Sequence, residues 1–147
     1  MKILIDGDAC PSIPLIENIA RNYNIPVTIF VDTNHNINSS YSKIKIVDEG
    51  NQNVDIKLIN EVNNNDLVVT QDYGVAVMAI GKMAHAINPN GLIYTNENID
   101  MLLLNRHINR KLRNYSGRVK GPRKRNKSDD EKLISNLEKI IIENKGD

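Results

Sequence analysis

The chain has 147 residues, one cysteine and a formal net charge of +1, so it is long enough for one domain with a hydrophobic core. Hydrophobic residues make up 40% of the chain and charged residues 25%, a composition typical of globular proteins and unlike that of disordered ones. The single cysteine excludes an internal disulfide framework, and we find neither a signal peptide nor an apolar run long enough to span a membrane. We therefore expect a cytoplasmic protein without membrane contacts.

The small net charge hides an uneven distribution along the chain. Residues 1–105 carry 6 basic and 12 acidic side chains, whereas residues 106–127 carry 10 basic ones and no acidic one. Residues 128–147 are acidic again, with 3 basic and 6 acidic side chains. An acidic body with one strongly basic segment indicates that this segment either binds an anionic partner or pairs with the body itself.

Short apolar runs alternate with segments of helical periodicity. The apolar runs predict strands at residues 3–5, 27–31, 44–47, 67–70, 84–87 and 92–94. The periodic segments predict helices at residues 12–23, 54–62, 73–81, 95–113 and from residue 129 onward. Strands that alternate with helices predict an α/β fold with a mostly parallel sheet, in which the last two strands form a hairpin.

The helices carry apolar residues that we expect to face the core. These residues are Ile56 and Ile59 in the second helix, with Val62 as a further candidate, Val75, Val77, Met78 and Ile80 in the third, Ile99, Leu102 and Leu103 in the fourth, with Leu104 as a further candidate, and Leu133, Leu137, Ile140 and Ile141 in the last. The stripe in the last helix predicts that this helix docks either on the body or on a partner.

Three acidic side chains follow buried strands at the points where those strands end. Asp6 and Asp8 come after the first strand, and Asp72 comes after the strand at residues 67–70. Because ligands of parallel α/β sheets bind outside the carboxyl ends of the strands, these carboxylates converge if the two strands are neighbours. Asp55, in the first turn of a helix, could complete the set. Each aspartate also has a structural alternative, since Asp is common at strand ends and helix N-termini.

A group of carboxylates without histidine or cysteine partners has the chemistry of a site for a hard divalent cation. Close carboxylates repel one another unless a cation or a shared proton relieves them. Oxygen ligands of this kind favour Mg²⁺ or Mn²⁺, and such ions activate water for phosphoryl displacement. We therefore predict a metal site formed by Asp6, Asp8, Asp55 and Asp72, in which Asp6, Asp8 and Asp72 are the catalytic residues.

The basic segment is a second feature, independent of the carboxylates. Its side chains suited to phosphate groups are Arg118, Lys120, Arg123, Lys124, Arg125 and Lys127. Phosphate contacts of this kind are insensitive to base sequence and sensitive to salt. An acidic metal site beside a basic segment fits the phosphodiester backbone of a nucleic acid, so we predict RNA as a partner. The alternative is a solvated segment, or one that pairs with the acidic body.

The histidines and the cysteine carry weaker functional signals. His35, His85 and His107 are scattered without the spacing of metal ligands, so we expect structural roles for them. Cys10 lies near a helix N-terminus, where the pKa of a thiol can be lowered, but no histidine is close to it in sequence. We expect Cys10 to be a packed side chain.

Three stretches of the sequence resemble those of a known family. Residues 1–11 (MKILIDGDACP), 66–72 (DLVVTQD) and 92–99 (LIYTNENI) resemble the YaiI/YqxD family of uncharacterised bacterial proteins, and the resemblance extends over nearly the whole chain. That family is similar to the PIN-like superfamily, whose nucleases hold divalent metal with acidic residues at the carboxyl edge of a parallel sheet. The chain departs from the usual family pattern at Gly7, and again where Gly74-Val75 replaces Pro-Leu.

The resemblance implies a three-layer α/β sandwich of the PIN-like type with an additional C-terminal helix. By position, Asp6, Asp8 and Asp72 match the acidic residues of the nucleases, and Asp55 matches less closely. We expect a PIN-like domain at residues 1–113 and a basic loop at residues 114–128. We expect a last helix at residues 129–147 that packs on the same domain.

Three functions stay open at the level of sequence, as does the oligomeric state. The first is a metal-dependent ribonuclease that uses the predicted carboxylates. The second is a regulatory module that binds metal or RNA without turnover. The third is a phosphatase of the haloacid-dehalogenase type, with Asp6 as nucleophile and Asp8 as general acid/base, although Cys10 stands where that pattern has Thr or Val.

Overall fold

The computed structural model describes residues 1–32, 37–47, 54–116 and 124–144, which form a six-stranded sheet with helices on both faces. The strands are β1 (Ile3–Asp6), β2 (Val27–Asp32), β3 (Lys43–Val47), β4 (Leu67–Val69), β5 (His85–Ile87) and β6 (Ile93–Tyr94). The helices are α1 (Ile13–Asn22), α2 (Val54–Asn60), α3 (Tyr73–Gly81), α4 (Asn96–Ser116) and α5 (Lys127–Asn144).

The sheet has the strand order β3-β2-β1-β4-β5-β6. Strands β1 to β5 run parallel to one another, and β6 runs antiparallel to β5. The predicted α/β fold with a mostly parallel sheet, a terminal hairpin and a C-terminal helix is therefore confirmed. The order changes direction at β1, which pairs with β2 on one side and with β4 on the other. Crevices at such a switch point are where open α/β sheets bind ligands.

The central strand β1 explains why helices cover both faces of the sheet. Ile3, Leu4 and Ile5 are all fully buried, which is the pattern of a strand covered on both sides. Ile3 and Ile5 belong to the core on the side of α1 and α5, whereas Leu4 belongs to the core on the side of α2 and α3. The molecule therefore has three layers, with the sheet in the middle.

The last helix completes one of these layers. Leu133, Leu137 and Ile141 of α5 are fully buried, and they pack in the same core cluster as Ile16 and Ile19 of α1. The predicted apolar stripe of the last helix therefore lies on the body of the molecule. The helix begins at Lys127, two residues before the predicted start at Asp129.

In the two short helices α2 and α3, some of the residues that face the core differ from those predicted. In α2, Ile56 is 46% exposed, and Leu58 is buried beside Ile59. In α3, Val77 and Met78 are 42% and 44% exposed. The small residues Ala76 and Ala79 of α3 occupy the core side instead, together with Val75. A helix of two turns gives too few repeats for hydrophobicity alone to fix which side faces the sheet.

Helix α4 is longer and less buried than predicted. It continues to Ser116, because no glycine or proline interrupts residues 96–116. Ile99 is buried and Leu102 is partly buried, as predicted, but Leu103 and the further candidate Leu104 are 39% and 54% exposed. Among the residues that the structure describes, no helix has both the length and the apolar character needed to cross a membrane.

Candidate functional site

The paired ends of β1 and β4 bring the first site residues together. Ile5 is in register with Val69, so Asp6 and Thr70 follow at the same level of the sheet. Asp6 is only 9% exposed, and the Thr70 hydroxyl donates a hydrogen bond to Asp6 Oδ2 over 3.3 Å. The predicted convergence of the carboxylates required β1 and β4 to be neighbours in the sheet. The structure meets this condition.

Asp8 is fixed by the end of β2. It lies in a single 3-10 turn directly after β1, and its Oδ1 accepts a hydrogen bond from the backbone N–H of Asp32 over 3.3 Å. Gly7 permits this close approach, because a Cβ there would lie 2.7 Å from both Ile29 Cγ2 and Val31 Cγ1. These atoms belong to stiff β-branched side chains, so a Cβ at this position would require Ile29 and Val31 to shift.

Asp72 caps helix α3, which was its structural alternative in the sequence. Its Oδ1 accepts hydrogen bonds from the backbone N–H groups of Gly74 and Val75, over 2.7 Å and 3.2 Å. The backbone N–H of Asp72 in turn donates to Thr70 Oγ1 over 3.0 Å. Thr70 therefore links Asp6 to the start of α3, and the cap orients the Asp72 carboxylate at the same edge of the sheet.

Asp55 joins this group from helix α2, which packs alongside β1, β2 and α3. The pKa of the Asp55 carboxyl is raised, first by burial and then by the negative charge of Asp72. A hydrogen bond between the two carboxyl groups and the charge of Asp8 raise it further. The raised pKa of Asp55 therefore reflects both its burial and its place near Asp72 and Asp8.

The pKa of Asp6 shows that the four aspartates act on one another. It is raised to about 6, mainly by burial and next by the charge of Asp55. The charges of Asp8 and Asp72 raise it as well, and the hydrogen bond from Thr70 opposes them. The structure therefore gathers the four predicted aspartates into one electrostatically coupled group, which we call the carboxylate cluster.

The carboxylate cluster is not a closed coordination shell. Within residues 1–32, 37–47, 54–116 and 124–144, no three His, Cys, Asp or Glu side chains lie close enough together to hold one ion. The donors themselves, carboxylate oxygens without nitrogen or sulfur partners, have the chemistry that suits Mg²⁺ or Mn²⁺. Metal binding at the cluster stays a prediction.

Tyr73 and Tyr94 pack against each other beside the carboxylate cluster. The rings of Tyr73 and Tyr94 meet edge to face, with centroids 5.9 Å apart. The Tyr94 hydroxyl donates to the backbone oxygen of Thr70 over 3.1 Å, and Asn88 Nδ2 donates to that hydroxyl over 3.3 Å. Burial raises the pKa of Tyr94 to about 12, and the charge of Asp72 adds to this effect. Tyr94 is therefore a neutral hydrogen-bonding group that braces the end of β4.

Arg106 of helix α4 contacts one of these two tyrosines. The guanidinium carbon of Arg106 lies 5.8 Å from the centroid of the Tyr73 ring, within the range of a cation–π contact. Tyr73 directly follows Asp72, so Arg106 brings a positive charge to the rim of the carboxylate cluster.

Half of the predicted phosphate-binding residues lie in the described part of the chain. Arg118, Lys120 and Arg123 lie outside the described residues, whereas Lys124, Arg125 and Lys127 are described. Lys124 and Lys127 are exposed.

Arg125 makes specific contacts within the protein. Its Nε donates to Asp130 Oδ1 over 2.9 Å. Its Nη1 donates to the backbone oxygen of Pro89 over 2.8 Å and to Asn90 Oδ1 over 2.6 Å. Arg125 thereby joins the start of α5 to the turn between β5 and β6.

Cys10 and His85 have surroundings that fit packed side chains. Cys10 packs against the core, and its Sγ lies 3.6 Å from Ser12 Oγ. Burial raises the pKa of the Cys10 thiol, and hydrogen bonding to Ser12 opposes that rise only in part. His85 Nε2 is hydrogen-bonded to Asn65 Oδ1 over 2.9 Å. His107 is exposed on α4, and His35 lies outside the described residues.

Sequence reasoning missed Thr70, Tyr94 and Arg106 as members of this site. Thr70 had a usable signal, since it is the first polar residue after β4 just as Asp6 follows the apolar residues of β1. Arg106 lies two helical turns after the buried Ile99, which places it on the same side of α4. Tyr94 had no local signal, because its position depends on the antiparallel pairing of β6 with β5.

Comparison with known proteins identifies the family of this chain. A family model described as "Uncharacterized BCR, YaiI/YqxD family" matches residues 4–143. The chain belongs to the YaiI/YqxD family. The family resemblance noted in the sequence is therefore confirmed, and the family's name carries no activity with it.

Relatives from this family are found in clostridia under the name UPF0178 protein. The protein from Clostridium kluyveri is 52% identical over 145 residues, which cover 99% of this chain and 95% of the relative. The protein from Clostridium perfringens strain SM101 is 50% identical over 141 residues, 96% of this chain and 95% of the relative. The protein from Clostridium acetobutylicum is 49% identical over 147 residues, 99% of either chain.

One solved structure is also similar to this member of the YaiI/YqxD family. It is the crystal structure of a mutant of Rae1 (YacP) from Bacillus subtilis, with a TM-score of 0.46 and 20% sequence identity. The similarity covers 81% of this chain and 86% of the other.

Proposed function

We propose that this YaiI/YqxD-family protein is a divalent-metal-dependent nuclease with a PIN-like fold that cleaves the phosphodiester backbone of RNA. In this proposal Asp6, Asp8 and Asp72 are the catalytic metal ligands, and Asp55 serves a second ion or the outer coordination sphere. The observation that carries the proposal is that the paired ends of β1 and β4 place the buried Asp6 and the helix-capping Asp72 at one edge of the sheet, where every charged group that shifts the pKa of Asp6 is another carboxylate.

Asp66, another buried aspartate of the same sheet, shows which groups balance the charge of a structural carboxylate. Asp66 is 4% exposed and lies at the amino end of β4. Its oxygens accept hydrogen bonds from the Lys2 ammonium over 2.7 Å, the Lys2 backbone N–H over 3.0 Å and the Asn63 backbone N–H over 2.8 Å. A cation and backbone donors thus balance the buried charge of Asp66. Asp6 instead lies among like charges, which is the arrangement expected where a cation is to be received.

The residues of the carboxylate cluster are held in place by their own contacts. Thr70 orients Asp6, the backbone of Asp32 holds Asp8, and the helix cap holds Asp72. Their oxygen donors fit Mg²⁺ or Mn²⁺, which when bound would supply Lewis-acid activation of water and of a phosphoryl oxygen. In our proposal the carboxylates draw closer together around the ion when it binds, since no three of the described His, Cys, Asp or Glu side chains lie close enough to hold one ion.

The rim of the cluster suits the anionic backbone of the substrate. Arg106 brings a permanent positive charge beside Tyr73, and the exposed Lys124 and Lys127 belong to the basic segment. Cationic side chains of this kind attract phosphates in a manner that depends on salt and not on base identity. In our proposal the RNA backbone approaches along this rim and presents one phosphodiester to the cluster.

The first test is metal binding followed by cleavage. Mn²⁺ and Mg²⁺ are titrated calorimetrically into the full-length chain, and labelled single-stranded and structured RNAs are then incubated with each metal, with DNA of equal sequence in parallel. We expect binding of either metal and RNA cleavage that chelation removes. The variants Asp6→Asn and Asp72→Asn should each lose at least about a hundredfold in rate, since they remove catalytic ligands. Glu131→Gln, an exposed carboxylate on α5, is the matched control.

Each other outcome identifies a different function. Metal or RNA binding without cleavage of any nucleic acid would refute the nuclease and support a binding module. Hydrolysis of a phosphomonoester with a trapped aspartyl-phosphate analogue on Asp6 would support the phosphatase alternative. Undiminished cleavage by both Asp6→Asn and Asp72→Asn would show that the carboxylate cluster is not the site.

A further inference from the structure

Helix α4 has an apolar surface on the side that faces away from the body. Its first turns touch the body through Ile99, which is 5% exposed, and through the partly buried Leu102. Arg106 continues this side, because it lies over Tyr73. These three residues fix which side of the helix faces the molecule.

The opposite side of α4 carries Met101, Leu104 and Ile108, which we call the outer stripe. They are spaced by three and four residues, so they share one side of the helix. Their exposed fractions are 61%, 54% and 43%. At 3.6 residues per turn, the centre of the stripe lies roughly half a turn of the helix away from Ile99 and Arg106. A contiguous exposed apolar stripe on a helix is typical of a surface that another protein covers.

We propose that the outer stripe binds the same stripe of a second copy of this chain, with the two α4 helices antiparallel. The protein is then a two-fold symmetric homodimer in which Leu104 of each copy packs near Ile108 of the other. A single stripe of this length makes a small interface, so we expect a dissociation constant of the dimer in the micromolar range.

The charges that flank the outer stripe favour an antiparallel pair. Asp100 and Lys111 are both exposed, and they lie eleven residues apart, roughly three full turns, on the same flank of the stripe. When two such helices run antiparallel around a centre between Leu104 and Ile108, Asp100 of one copy lies opposite Lys111 of the other. In a parallel pair, residues of one flank lie opposite the other flank of the partner helix, which carries Asn105 and Asn109, so Asp100 and Lys111 would form no ion pair.

The arginines of α4 lie on the side of the helix opposite the outer stripe, so the stripe itself carries no basic side chain. Arg106, Arg110 and Arg113 lie on the side of the helix that Ile99 defines, at spacings of seven, eleven and fourteen residues from it. A nucleic acid would therefore find its cations on the other side of α4, at the rim of the carboxylate cluster. The dimer goes beyond the proposed nuclease function and does not rest on it.

The test is the mass of the full-length protein in solution as its concentration changes. Sedimentation equilibrium from about 1 μM to about 200 μM should show a monomer that converts to a dimer. Leu104→Glu combined with Ile108→Glu should remain a monomer over the whole range, since two charges would then be buried in the contact. Circular dichroism verifies that this variant is folded. Ile142→Glu is the matched control, because Ile142 is 64% exposed on α5, and it should dimerise as the wild type does.

Charge reversal tests the orientation of the two helices. Lys111→Glu should weaken the dimer about tenfold, because it places like charges together twice across the two-fold axis. Adding Asp100→Lys to Lys111→Glu should restore the wild-type dissociation constant. A dissociation constant that Lys111→Glu leaves unchanged or lowers would contradict the antiparallel arrangement.

Two further results would overturn the proposal. One is a wild-type protein that stays monomeric at the highest concentration, whether or not its outer stripe binds anionic vesicles or RNA. The other is a dimer that persists in the folded Leu104→Glu, Ile108→Glu variant.

Discussion

Asp6 combines a buried position with a group of negative neighbours, and this combination lowers the stability of the fold. The pKa of Asp6 is raised from 3.8 to about 6, so the folded state binds a proton more tightly than the unfolded state does. The destabilisation is absent below the unfolded pKa, grows between about pH 4 and pH 6, and is complete above the folded pKa. At neutral pH the ionised form costs about 3 kcal/mol at most.

Asp6→Asn should therefore stabilise the protein while it abolishes the proposed activity. The amide keeps an acceptor for the Thr70 hydroxyl but carries no charge. We expect the free energy of unfolding at pH 8 in chelator to rise by about 1–3 kcal/mol and the difference to vanish near pH 4. Urea titrations across this pH range measure it, with Glu131→Gln as the control. A variant that is less stable than the wild type at every pH would contradict the assignment.

At the scale of elements, α5 is held by the turn between β5 and β6. Gly91 in that turn has a φ of +95°, and a Cβ there would lie 2.6 Å from Leu133 N and 2.6 Å from the carbonyl carbon of Lys132. Both atoms belong to the backbone of α5, so they cannot move aside without moving the helix. Asn136 Nδ2 also donates to Gly91 O over 2.6 Å. The turn and the helix thus form one packed unit.

Gly91→Ala should lower the free energy of unfolding by about 2–4 kcal/mol, from the strained φ and the overlap with α5 together. Gly81→Ala is the matched control, because a Cβ at Gly81 meets nothing within 4 Å. Gly81 ends helix α3, so this control should be neutral or slightly stabilising. Thermal unfolding of both variants measures the contrast, and equal effects would show that the contact with α5 is unimportant.

The sequence predicted those parts of the fold and site that depend on local pattern and on strand adjacency. Asp6 and Asp72 could be assigned to one edge because apolar runs of parallel strands end just before them. The inward sides of α2 and α3 were wrong at Ile56 and Val77, since such short helices have weak periodicity. Arg106 was missed because its spacing from Ile99 gives its side of α4 but not its contact with Tyr73, which depends on how α4 packs against α3.

At the scale of the whole molecule, the layer that covers the sheet beside α1 depends on the C-terminal helix α5. Leu133, Leu137, Ile140 and Ile141 of α5 are each at most 5% exposed and cover the sheet beside α1. Burial of such a side chain contributes about 2 kcal/mol, so the four together approach the whole net stability of a typical domain, about 5–15 kcal/mol.

Deletion of residues 127–147 should therefore unfold the remaining chain rather than leave a smaller stable domain. We expect the truncated protein to be insoluble, or to bind a dye specific for exposed apolar surface and to lose NMR dispersion. Full-length protein with Ile142→Glu, altered on the exposed side of α5, should retain the wild-type spectrum. A soluble truncated chain with dispersed resonances would show that α5 is dispensable.

The position of β1 sets a waiting time during synthesis. This strand lies in the middle of the sheet, yet its neighbour β4 is more than sixty residues away, and α5, one of the two helices on the side of Ile3 and Ile5, is more than a hundred residues away. A ribosome adds about 5–20 residues per second, so the Ile3–Ile5 segment stays without its final partners for on the order of ten seconds. During that interval the apolar segment lacks its strand neighbour on the β4 side, so it is accessible to chaperones and to other unfolded chains.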